Sequence, residues 1–242
     1  MSSTSETGHA VNLVNFQTLA SRCIGYGSRY NPTNPRLQLA NMQTIGTSVL
    51  AALQNVATAK PAWDNAINIR QTIFADMVKG STRIINAFEV TENVTDKQVD
   101  DAKTIVRKIR GERKSKKIVN PSPDDAVQIS ASQQSYANQI LHFIELVGFV
   151  SAEPAYAPNE TELQVAELQA FQQTMGDAMD DVINTQNPYL AALVQRNTLM
   201  YAPTTGLVDV ALDAKKYVKS VSTISKQEYQ QISGIKFTRP KK

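Results

Sequence analysis

The 242-residue chain carries 25 Lys and Arg against 22 Asp and Glu, 42% apolar residues, one Cys and two His. That length and apolar fraction support one or two globular domains with real cores and exclude wholesale disorder. A single Cys excludes an intrachain disulfide framework, and together with two His it cannot complete a Cys/His zinc site.

The polar start MSSTSETGHAVNLVNF has neither a basic nor an apolar signal region, which points to the cytoplasm. An apolar helix is expected near 10–25, where Gly25-Tyr26-Gly27 ends it; this glycine pair lacks the spacing and the following Lys of a nucleotide loop. Asn34 before Pro35 reads as an N-cap with proline at the first helical position. From there Leu37, Leu39, Met42, Ile45, Val49, Leu50, Leu53 and Val56 recur at spacings of three and four, the pattern of a helix with one buried face. Pro61 is expected to end that helix and begin another carrying Trp63, Ile67, Ile69, Ile73 and Phe74. Gly80 marks a break before helices at 81–90 and 97–110. The polar stretch GERKSKKIVNPSPDDAVQ, residues 111–128, reads as an exposed linker.

A second apolar helix is expected at 131–150. Its segment ILHFIELVGFV is shorter than the roughly 18–20 residues a bilayer span needs, and it contains His142 and Glu145. Asn159 is the next cap, with Glu160 and Glu162 placed where a helix dipole favours carboxylates. Pro188 then separates two helical segments, the later one carrying Tyr189, Leu190, Leu193, Val194 and Leu199. YAPTTG at 201–206 interrupts the pattern before helices at 206–221 and 226–235. No sustained alternation bounded by hairpin turns is present, so the expected class is all-α.

The elements recur because the chain resembles itself at a shift of 126 residues. YNPTNPRLQLANMQ from Tyr30 aligns with YAPNETELQVAELQ from Tyr156, and the match runs without a gap to about residue 90. Tyr30, Pro32, Leu37, Ala52, Val56, Ala66, Arg70, Thr72 and Gly80 thereby meet Tyr156, Pro158, Leu163, Ala178, Val182, Ala192, Arg196, Thr198 and Gly206; Trp63 meets Tyr189. An internal repeat of this kind points to a duplicated unit. The expected organisation is two tandem related helical bundles, 1–110 and 129–242, joined by the linker at 111–128. The retained Tyr30, Pro32, Arg70, Gly80, Tyr156, Pro158, Arg196 and Gly206 are read as structural: the tyrosines as pegs closing the loop before a helix, the arginines as half-buried donors to carbonyls or a carboxylate.

The strings GHAVN, YNPTNPRL, VDDAKTIVRKI, YAPNETEL and YAPTTGLVD, in this order, resemble a group of duplicated, all-helical proteins of Bacteroidota-type bacteria. The resemblance covers nearly the full chain. It implies a duplicated α-helical fold and a bacterial source, and it transfers no catalytic residue.

Charge is distributed unevenly. Arg107, Lys108, Arg110, Arg113, Lys114, Lys116 and Lys117 surround one acid, Glu112, whereas the 78 residues from Ile118 to Gln195 contain ten acids and no Lys or Arg. Split at residue 126, the chain has 16 basic and 11 acidic residues in the first part and 9 and 11 in the second, a net +5 and −2. The basic cluster is a candidate contact for an anionic partner, since clustered like charge draws its opposite. Nucleic acid is the weaker partner because no aromatic residues are interleaved for stacking. Asp177, Asp180 and Asp181 share a helix face, but Ala51, Gln54 and Asn55 hold the matching positions of the first copy, which argues against a metal site common to both. His9, His142 and Cys23 stand in no catalytic spacing. The expectation is therefore a non-enzymatic helical scaffold or interaction protein, without cofactor or metal, that binds a protein partner or itself. Binding of nucleic acid or an anionic partner through 107–117 and membrane activity of its amphipathic helices are the alternatives.

Overall fold

The computed structural model describes residues 8–112 and 134–240, and among these no strand occurs. Seven α-helices account for most of them: α1 (His9–Gly25), α2 (Leu39–Glu89), α3 (Asp96–Arg110), α4 (Tyr136–Ser151), α5 (Val165–Tyr201), α6 (Leu207–Ser220) and α7 (Lys226–Ser233). The all-α expectation holds. No helix among the described residues is long and apolar enough to cross a membrane.

Local chemistry sets several helix ends. Thr95 and Gln98 form a reciprocal capping box at the start of α3, and Ser225 and Glu228 form another at α7. Gly111 closes α3 with φ of 70°, where glycine escapes the penalty a β-carbon would pay, and Glu112 N donates back to Arg107 O at 2.9 Å. Ser135 accepts from the Asn138 N–H, so α4 begins at Tyr136, later than the sequence expectation. Asn34 does accept from the Arg36 N–H, but Pro35 opens only a single 3-10 turn, Pro35–Leu37, and α2 starts two residues after it.

The prolines do not end helices. Pro61 lies inside the 51 residues of α2 and Pro188 inside the 37 of α5. Each ring deprives a carbonyl four residues back of its donor, yet both prolines are exposed, so water can replace that bond. Buried side chains hold the helix on both sides of the interruption: Val49 and Ala52 precede Pro61, and Ala66 and Phe74 follow it. Gly80 is likewise interior to α2 rather than a break, whereas the interruption at 201–206 separates α5 from α6.

The chain divides into two compact units, one formed by Met1–Trp63 with Thr185–Lys242, the other by Asp64–Asn184. This differs from the tandem division into 1–110 and 129–242, because the two longest helices run unbroken and each contributes to both cores. In the first unit Leu13, Phe16, Leu19, Met42 and Val49 pack with Met200, Leu207, Val210, Ala214 and Val218. In the second Phe74, Met77, Ile84, Phe88, Ile105 and Ile109 pack with Phe143, Leu146, Leu168 and Met175. Of the expected linker, Gly111 and Glu112 are described and 113–128 lie outside the described residues.

Candidate functional site

Within the second unit, the last turns of α2 and the facing side of α3 enclose a groove of about 280 Å³. Thr82, Ile85 and Asn86 line it from α2; Lys103, Val106, Arg107 and Arg110 line it from α3, with Glu112 at its end. Ile85 and Val106 are buried and form the apolar floor. The walls are polar because Lys103, Arg107 and Arg110 follow the spacing i, i+4, i+7, which keeps them on one side of α3.

Three cations therefore face one lining carboxylate. Lys103 Nζ donates to Glu89 at 3.0 Å. The Arg110 guanidinium donates to Thr82 Oγ1 and lies 3.7 Å from Glu112. Arg107 is half-buried, and no described side chain pairs with it. Of the sequence-predicted basic cluster, Arg107 and Arg110 thus meet in the groove, while Lys108 faces elsewhere and pairs with Glu145 of α4 at 3.2 Å. Arg113, Lys114, Lys116 and Lys117 lie outside the described residues. Sequence reasoning missed Thr82, Asn86 and Lys103. Their signal was available as spacing: Thr82, Asn86 and Glu89 follow the same i, i+4, i+7 pattern on α2 as the three cations do on α3.

The residues matched at the 126-residue shift take up the following positions. Tyr30 Oη donates to Leu37 O at 2.7 Å, and Tyr156 Oη donates to Leu163 O at 3.1 Å. Both rings are buried, which raises the phenol pKa in each case, to about 12 for Tyr156. Pro32 is buried and Pro158 half-buried in the corners that these bonds close. The arginines differ in their surroundings: Arg70 lies over the Tyr136 ring, 4.3 Å from its centroid, whereas Arg196 donates to the side chain of Asn197 at 2.8 Å. Neither contact is with the loop carbonyl or acidic group expected from the sequence. Gly206 precedes α6, and a methyl there would stand 2.7 Å from Ala202 N and 2.8 Å from Ala202 O. A methyl on Gly80 would meet nothing within 4 Å.

The other reactive side chains are occupied by packing. Burial pushes the Cys23 thiol up to about 12, suppressing the thiolate that a nucleophile requires. His9 Nδ1 lies 2.8 Å from Tyr201 Oη, and burial lowers its pKa. His142 is buried on α4, with Nδ1 3.5 Å from Glu145 and Nε2 without a hydrogen-bond partner among the described residues. Asp177 accepts from Gln173 at 2.7 Å, and no group of His, Cys, Asp or Glu suited to a metal occurs among the described residues. Compared with protein-family models, curated proteins and solved structures, the chain matches none.

Proposed function

We propose that the chain is a non-enzymatic helical interaction protein of the bacterial cytoplasm, built by duplication of one helical unit and assembling with protein partners, further copies of itself included. The observation that carries this reading is the use made of the retained residues. Tyr30 with Leu37 and Tyr156 with Leu163 close the same corner in the two halves, so what has been kept is architecture rather than a reactive group. The duplication also draws support from the 3-10 turns Pro35–Leu37 and Thr161–Leu163, and from α2 and α5 after them, each pair beginning 126 positions apart. Trp63 and Tyr189, matched by the same shift, stack with ring centroids 5.4 Å apart. A Bacteroidota-type origin rests on the sequence resemblance.

Association is favoured by apolar side chains left at the surface on successive turns. Leu141 and Ile144 of α4 are 60% and 44% exposed, and Leu190 and Val194 of α5 are 45% and 66% exposed. Grouped apolar exposure of this kind marks contact surfaces more often than isolated exposed residues do. Sedimentation equilibrium from micromolar to hundred-micromolar protein at low and high salt tests the reading. Mass rising with concentration, and reduced in the paired Leu141→Lys, Ile144→Lys or Leu190→Lys, Val194→Lys variants, is expected. A strict monomer throughout would overturn self-association.

A further inference from the structure

We infer that the groove between α2 and α3 is a binding site for a phosphate group, with Arg107 and Arg110 as its charged donors and Thr82 and Asn86 as its neutral ones. The argument begins with an imbalance. Lys103 and Arg110 each have an acid beside them, Glu89 and Glu112 respectively, but Arg107 has none among the described side chains. Arg107 is half-buried as a residue and lines the groove, where a bound oxyanion would give its guanidinium charge-assisted hydrogen bonds.

Geometry selects the kind of anion. Lys103 and Arg110 lie seven positions apart, a rise of about 10 Å, and both line the one groove with Arg107 between them, a length that suits a small anion better than a polymer. The lining contains no aromatic side chain on which a base could stack, which disfavours a nucleic-acid strand. Two guanidiniums, the Thr82 hydroxyl and the Asn86 amide together offer more donors than the two oxygens of a carboxylate can accept. The oxygens of a phosphate match them better.

Glu112 identifies where the ligand enters. Its carboxylate lies 3.7 Å from Arg110 at the end of the groove and is about half exposed, so it acts as the chain's own weak anion there and an arriving phosphate displaces it into solvent. Affinity is consequently set by competition: loss of Arg107 weakens binding, whereas loss of the Glu112 charge strengthens it. A merely solvated basic surface would show the first effect weakly and would lack the dependence on oxyanion geometry.

The full chain is titrated with inorganic phosphate and separately with O-phosphoserine, at constant ionic strength in chloride, and followed by amide chemical shifts. A short oligothymidylate forms the third arm. Saturable shifts at residues 82–86 and 103–112 are expected, with Arg107→Gln and Arg110→Gln each weakening phosphate binding about tenfold and Glu112→Gln tightening it about threefold. Tighter binding of phosphoserine identifies a phosphate ester as the natural source, and equal binding identifies the free anion; either supports the site. Because Arg107 is only half-buried and pairs with no described side chain, unchanged circular dichroism is expected to accompany its replacement. Shifts that fail to saturate, that are reproduced by chloride, or that persist unchanged in Arg107→Gln overturn the proposal. So does saturable binding confined to the oligonucleotide, which would make the groove a nucleic-acid contact.

Discussion

Replacing Tyr30 by Phe removes one hydroxyl from the first core and nothing else of comparable size. The phenol donates to Leu37 O at 2.7 Å across the junction between the 3-10 turn and α2, and its ring is 5% exposed, so water cannot readily take over the lost bond. A net hydrogen bond contributes about 0.5–1.5 kcal/mol, and a buried carbonyl left unpaired costs about 1–3 kcal/mol. Partial relaxation of the corner brings the expected loss to about 1–2 kcal/mol. Tyr156→Phe deletes the equivalent 3.1 Å bond to Leu163 O in the other core, and its effect is expected to be similar or slightly smaller because the bond is longer. Urea unfolding followed by circular dichroism measures both. The two tyrosines belong to different cores, so the double variant is expected to lose the sum of the single losses. A change below about 0.3 kcal/mol in both single variants would refute the view that these hydroxyls hold the corners.

Other substitutions separate backbone requirement from coincidence at Gly80 and Gly206, the glycines matched at the 126-residue shift. Gly80→Ala, in a helix interior with free space around the added methyl, is expected to stabilise by about 0.5–1 kcal/mol, whereas Gly206→Ala presses on Ala202 backbone atoms and is expected to cost about 1–3 kcal/mol; thermal unfolding distinguishes them by sign. Cys23 is expected to resist a thiol-reactive disulfide reagent at pH 8 in the native state and to react at once in denaturant, since burial both hides the thiol and raises its pKa to about 12. Glu228 has its pKa lowered from 4.5 to about 2, first by hydrogen bonds from Arg29 and then by those from Ser225. A carboxylate depressed in the folded state contributes stability above the unfolded pKa and loses it as pH falls through the folded one. Acid unfolding of Glu228→Gln is therefore expected to lose part of the stability change that the parent chain shows between pH 4.5 and 2.

Periodicity made the helical class and most helix ends legible, because amphipathic spacing and capping residues act within a few positions of one another. Leu13, Phe16, Leu19 and Cys23 place the buried side of α1, and Val99, Ala102, Ile105, Val106 and Ile109 that of α3, without knowledge of what covers them. The prolines misled for the same reason. Their local effect is to break a helix, but whether the helix resumes depends on burial beyond the interruption, which comes from distant segments. The units were hidden at the same level: Leu39–Glu89 reads as an amphipathic pattern throughout, and nothing in it announces that Val49 and Phe74 enter different cores. The groove required a further step, since Thr82 and Arg110 are 28 positions apart and meet only when the turn after α2 folds α3 back along it.

The uneven charge of the chain acquires a structural meaning when the two halves are compared under the proposed duplication. Thr82 and Asn86 are matched 126 positions later by Val208 and Leu212, and Val208 is buried in the first core. Beyond the ungapped match, capping boxes open α3 at Thr95 and α7 at Ser225, 130 positions apart, but α3 has 15 residues and α7 only 8. The helical turns that carry Arg107 and Arg110 thus have no helical counterpart, and the chain after Ser233 instead runs to Thr238, whose N–H and carbonyl bond the buried Asn12 side chain. The segment following the Ser225 capping box thus closes a core, and the one following Thr95 forms a helix with a cationic edge. Under that duplication α3 carries five Lys and Arg against three Asp, a net +2, and α7 one Lys against one Glu, so the longer helix is the more basic of the two.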